Sequence, residues 1–258
     1  LVFIIYACLP QVKFQLPKKQ HLLQIALLGL TGFSIYHLAL AYGQQTVTAG
    51  VASFIIGSTP IFTALIAHFI LHEKLRAMSW VGLIIGLTGI GMVSLGTSEE
   101  GFSVDKGIFF ILIAAIATSI FFVFQKPLFK HYKPFELVAY FTWIGTIPFF
   151  LFLPGFINTV QQATIEATLA TIALGIFPGA IAYALWSLAL SLGNANTVST
   201  MLYVQPVFVI IISWFWLKEW PSNLSLMGGI IAILSVCFIN IIERQQLKRP
   251  KKQQARSS

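Results

Sequence analysis

Charge is what this sequence has least of. Asp, Glu, Lys and Arg together make up 9% of the 258 residues, against about 25% in an ordinary soluble domain. That scarcity excludes a water-soluble fold. Hydrophobic residues make up 57% of the chain, 23 of them Phe, and the mean hydropathy is +0.84, so there is more apolar surface than one soluble core of this length hides. Cysteine is nearly absent too. Cys8 and Cys237 both fall in apolar segments, where thiols act as small hydrophobes, so no disulfide, metal site or cofactor is expected. No HExxH occurs, and all eight acidic residues fall in loops or at helix ends, which argues against an integral-membrane enzyme. Residues 1–9 (LVFIIYACL) lack the charged n-region of a signal peptide and are too short to cross a hydrocarbon core. They are expected to be the tail of a helix cut at its amino end.

What is present is a series of hydrophobic runs at 22–42, 49–71, 78–96, 107–126, 135–153, 166–188, 196–217 and 224–242. Runs of about 20 residues match transmembrane helices and lack the alternation of a membrane barrel. The breaks Pro10–Lys19, Thr97–Lys106 and Pro154–Gln162 carry the Pro, Gly and charge signals of loops.

Positive residues in short loops stay on the cytoplasmic side. On one side lie Lys13, Lys18, Lys19, Lys74, Arg76, Lys126, Lys130, Lys133 and the six cations from Arg244 to Arg256, against only Lys106 and Lys218 on the other. The basic tail 243–258 is therefore expected to be cytoplasmic. The net charge of +8 then reflects topology and contact with anionic lipid, and no nucleic-acid partner is expected.

Displaced by 146 residues, the sequence aligns with itself without gaps. Gly29 falls on Gly175, Ala49 on Ala195, Ser53 on Ser199, Pro60 on Pro206, Glu73 on Glu219 and Gly82 on Gly228. Apolar bias alone does not align Pro, Glu and Gly. The displacement spans five helices, an odd number, so the two halves are expected in opposite orientations. The expected organisation is a first repeat over 1–96, truncated at its amino end, an extracytoplasmic loop over 97–106, and a second repeat over 107–242. About eight and a half of ten helices are then present.

GSTPIFTALIAHFILHEKL (57–75) and VQPVFVIIISWFWLKEW (204–220), preceded by ALAYGQQTVTAGVAS and YALWSLALSLGNANTVS, resemble the Pro-to-Leu-x-Glu block of EamA-type members of the drug/metabolite transporter superfamily. The resemblance covers essentially the whole chain. It implies an all-α polytopic membrane protein of two inverted five-helix repeats that exports or takes up small metabolites such as amino acids and their derivatives.

Paired helix interruptions are the best sequence pointer to a transporter's site. Pro60 and Pro206 each remove a backbone hydrogen bond in mid-run; a kink that only shapes packing is the alternative. Ala49, Ser53 and Gly57 share one face before the first proline, as do Ala195, Ser199 and Tyr203 before the second. His37 is the one ionisable side chain well inside its helix, and its repeat mate is Tyr183, with Trp186 one turn on. These side chains are candidates for a shared central cavity, although a neutral His bonding a neighbouring helix is nearly as consistent. Weaker candidates are Gln205, Ser58, Thr59, Ser119, Gln125 and Trp143. Glu73 and Glu219 stand at helix ends next to Lys74 and Lys218 and are expected to be structural caps. Gly82, Gly86, Gly89 and Gly91, echoed by Gly228 and Ala232, read as packing grooves.

No Lys, Arg, Asp or Glu is expected at midplane, which disfavours phosphate esters and carboxylate proton relays. The expected function is alternating-access transport, as an exporter, of a neutral, zwitterionic or aromatic small molecule by a monomer in the bacterial inner membrane. Coupling to protons, if any, runs through His37. A membrane sensor or scaffold without transport is the rival class.

Overall fold

Apolar runs long enough to cross a bilayer must satisfy their backbone internally, and helices do so one segment at a time. In the computed structural model, which describes residues 2–9, 14–47, 49–73, 77–97, 106–212, 214–215 and 222–254, the chain is helical with no strand among the described residues. Among the described residues, six helical segments are long and apolar enough to span: Lys19–Gly43, Val51–Ile70, Lys106–Lys130, Pro134–Phe152, Ile165–Leu192 and Asn223–Ile242. The expected run 78–96 is helical as Ala77–Thr97. Local sequence sets several boundaries. Pro134 opens its helix at a position that needs no N–H, with the Lys133 amide donating to Glu136 Oε2 at 3.2 Å. Thr164 Oγ1 accepts the Ala167 amide at 3.2 Å and starts the helix from Ile165.

Three expectations need correction. The supposed loop Pro154–Gln162 contains a short helix, Phe156–Gln162, entered through Gly155 at φ 86°; past that glycine nothing breaks a helix. The expected helix 196–217 is divided into Ala195–Ser199, a tighter turn Thr200–Val204, and Gln205–Ile212. The last hydrophobic helix runs on as backbone through the basic segment to Gln254, because Glu, Arg, Gln and Lys favour helix. Glu219, Lys218, Lys74, Arg76 and the stretch 98–105 lie outside the described residues.

The chain divides into two units. The first comprises Leu1–His37 and Phe124–Gly193, the second Leu38–Val123 and Asn194–Ser258. In the first, Gly29 lets the Lys19–Gly43 helix approach Pro134–Phe152 so closely that a Cβ there would lie 2.8 Å from the Phe141 carbonyl oxygen. Ser34 Oγ donates to the Gly145 carbonyl at 2.6 Å in the same crossing, and Leu137, Val138, Ala139 and Phe141 are wholly buried beside it. In the second unit the core is Ala64, Leu83, Ile90, Tyr203, Ala232, Val236 and Ile239. There the small-residue groove is realised: a Cβ on Gly89 would meet the Ala232 nitrogen and the Gly228 carbonyl oxygen at 2.8 Å. Without hydrophobic drive between helices in lipid, such backbone proximity supplies the packing.

Candidate substrate site

Two of the spanning helices carry a π-helical turn at corresponding places. Leu30–Ile35 interrupts the Lys19–Gly43 helix, and Phe177–Ala182 interrupts Ile165–Leu192; the repeat displacement relates the two within one residue. Such turns insert an extra residue, rotate the side chains that follow, and recur at functional sites. The residues delivered just after them are Tyr36, His37 and Tyr183. Pro178 explains the second turn, since it has no N–H to give; no residue in Leu30–Ile35 has that property.

The first unit brings His37 and Tyr183 together, with ring centroids 6.2 Å apart. Phe33 stacks on Tyr183 at 4.5 Å, and Tyr36 meets the His37 ring edge-on at 4.9 Å. His37 Nδ1 lies 2.8 Å from the Phe33 carbonyl oxygen; because a carbonyl only accepts, Nδ1 carries a proton, and in the neutral form of the ring Nε2 is the acceptor. The bond stays within its own helix rather than reaching a neighbouring one. The His37 side chain is exposed, while Tyr183 and Trp186 beside it are half-buried. An aromatic wall beside one fixed acceptor can take an apolar or aromatic body with an N–H donor. Phe33 was missed from the sequence, although its place one helical turn before His37 was a usable signal.

The second unit holds the remaining candidates. Within the Val51–Ile70 span the helix is interrupted at Ser58, and Thr59–Ile70 restarts with Pro60 in its first turn, so the proline stands at the break itself. Pro206 likewise stands second in Gln205–Ile212. Tyr203 is packed as part of the helix core. It is wholly buried in the core, and its hydroxyl donates to the Leu83 carbonyl at 3.0 Å. Ser199 is buried too, and its hydroxyl donates to the Asn196 carbonyl at 2.9 Å. Thr59 is buried with Oγ1 unpartnered, while its carbonyl accepts Ser119 Oγ at 3.2 Å. Ser53 and Gln205 are exposed.

Glu73 caps a helix, though not the one that follows it. Its two carboxylate oxygens accept the Ala195 and Asn196 amides at 3.2 and 3.4 Å, at a helix N-terminus where negative charge is favoured. His72, at φ 54°, supplies the left-handed residue that ends Thr59–Ile70, and the Glu73 amide bonds back to the Ala67 carbonyl at 3.3 Å. In the first unit, Lys126 Nζ donates to the Gly193 carbonyl at 2.7 Å, and Ser187 Oγ donates to Gln125 Oε1 at 3.3 Å. No group of three or more metal-ligating side chains occurs among the described residues.

Stacked apolar helices, paired interruptions at a repeat displacement and an aromatic-lined polar group define an integral-membrane transporter. The EamA-like transporter family matches residues 1–95 and 105–241, and the chain belongs to that family. It is 37% identical over 238 residues to the "Uncharacterized transporter YdfC" of Bacillus subtilis (strain 168), covering 92% of this chain and 77% of that protein. It is 30% identical to the "Probable terminal-alkyne amino-acid exporter" of Streptantibioticus cattleyicolor, over 87% of this chain and 75% of the other. A crystal structure of a protein 19% identical in sequence shares the fold, with a TM-score of 0.76 over 95% of this chain and 84% of its own.

Proposed function

We propose that this transporter moves small neutral, zwitterionic or aromatic metabolites, amino acids and their derivatives among them, outward across a bacterial inner membrane. The two inverted repeats alternate access to the substrate, and the basic C-terminal segment lies in the cytoplasm. The observation that carries the reading is the His37–Tyr183 pair, 6.2 Å apart and delivered by two π-helical turns. Nε2 of His37 accepts an N–H of the substrate amine, while Phe33 and Tyr183 wall its apolar part. Trp186 is a further candidate for contact in the same unit. The name of the 30% identical Streptantibioticus relative supports an amino-acid class.

All eight acidic residues fall in loops or at helix ends of the sequence, so transport is facilitated or weakly coupled to protons through His37. Proteoliposome uptake of aromatic amino acids tests this. Loss of flux in His37→Ala is expected; flux that strictly needs an imposed proton gradient and persists without His37 contradicts it.

A further inference from the structure

A groove of about 340 Å³ opens at one end of the first unit, at the short turn joining Lys106–Lys130 to Pro134–Phe152. Gln15, Lys130, His131, Tyr132, Lys133 and Glu136 line it. The turn connects two membrane helices, so the groove sits where hydrocarbon gives way to head groups. Its wall is built, not incidental. The Tyr132 hydroxyl accepts the Lys18 amide at 2.8 Å and lies 3.0 Å from His21 Nδ1, and the His21 ring stacks on His131 at 4.8 Å.

The anomaly is Glu136. It is wholly buried, yet only Oε2 is satisfied, by the Lys133 amide at 3.2 Å; Oε1 has no partner. A buried carboxylate oxygen without a donor is costly. Lys130 and Lys133 are exposed at the rim, and neither ammonium has a partner among the described residues. The groove is therefore lined by one carboxylate with an unfilled acceptor and by two exposed cations. Its complement is a zwitterion with an N–H-bearing ammonium at one end and a phosphate a few bonds away.

We propose that this groove binds a phosphoethanolamine group, its ammonium donating to Glu136 Oε1 and its phosphate held by Lys130 and Lys133, independently of the transport site. Phosphate-to-lysine contact retains any phospholipid at the rim. The Glu136 contact is what distinguishes an amine that carries hydrogens from a trimethylated one of equal charge.

The test reconstitutes the chain into vesicles of equal parts phosphatidylethanolamine and phosphatidylcholine, extracts it, and measures the lipids that stay bound by native mass spectrometry. Retention of the ethanolamine lipid is expected to exceed that of the choline lipid about tenfold, the scale of one charge-assisted hydrogen bond. Glu136→Gln keeps the capping bond to Lys133 but turns an amide N–H towards the groove, and is expected to bring the ratio to about one. Lys130→Ala with Lys133→Ala lowers retention of both lipids. Adding O-phosphoethanolamine separates the sources: displacement of bound lipid assigns the site to the soluble compound, and no displacement assigns it to the lipid. Equal retention of the two lipids by the unaltered chain, or a preference that survives Glu136→Gln, overturns the proposal.

Discussion

Replacing Gly89 with alanine places a methyl group 2.8 Å from both the Ala232 nitrogen and the Gly228 carbonyl oxygen. Both obstacles are backbone, so no side-chain rotation relieves the contact, and the Ala77–Thr97 and Asn223–Gln254 helices must separate. Overpacking of this kind costs about 1–3 kcal/mol. The better helix propensity of alanine returns about 0.5–1 kcal/mol, leaving a net loss centred on about 1 kcal/mol. Gly228→Ala meets the Gly89 carbonyl oxygen at 2.5 Å and the Val93 nitrogen at 2.7 Å and should cost as much. Since both substitutions push the same two backbones apart, the double variant should lose less than the sum of the singles. Gly175→Ala is the control, because nothing lies within 4 Å of its Cβ position. Equilibrium unfolding of the purified chain in mixed micelles measures all four. Gly89→Ala as stable as the unaltered chain, or no more destabilising than Gly175→Ala, would refute the close crossing.

Tyr203→Phe should cost about 1 kcal/mol through loss of the hydroxyl bond to Leu83, and leave the substrate concentration for half-maximal flux unchanged; a changed half-saturation would show that Tyr203 contacts the substrate. Glu73→Gln should destabilise by about 1 kcal/mol by weakening the cap on Ala195 and Asn196, read as a lowered unfolding midpoint. His72→Gly should stabilise by about 1 kcal/mol, because φ 54° strains any residue with a Cβ; a loss in the same assay would contradict that turn.

Much of the architecture was legible because lipid enforces it. Every long apolar run is mainly helical over its described residues, and the glycines aligned by the repeat include those where helices touch, Gly29 and Gly228. The π-helical turns were not legible at Leu30–Ile35, whose residues carry no signature for an extra residue in the turn. Face arguments placed Tyr203 with Ser199, correctly as to periodicity, but periodicity does not distinguish a cavity from a helix contact. The Leu83 carbonyl that satisfies the Tyr203 hydroxyl lies 120 residues away. Glu73 was recognisable as a cap from its place at a helix end, whereas its partner, the helix at Ala195, is a matter of tertiary structure. Glu136 gave the capping signal only; its unfilled oxygen became visible once the surrounding turn was in place.

The central claim is that His37 receives the substrate. Initial-rate uptake of aromatic and zwitterionic amino acids into proteoliposomes, without an imposed proton gradient, compares the unaltered chain with His37→Ala matched for folded protein in the bilayer. Loss of the Nε2 acceptor predicts a fall in flux of about tenfold or more; flux undiminished in His37→Ala would contradict it.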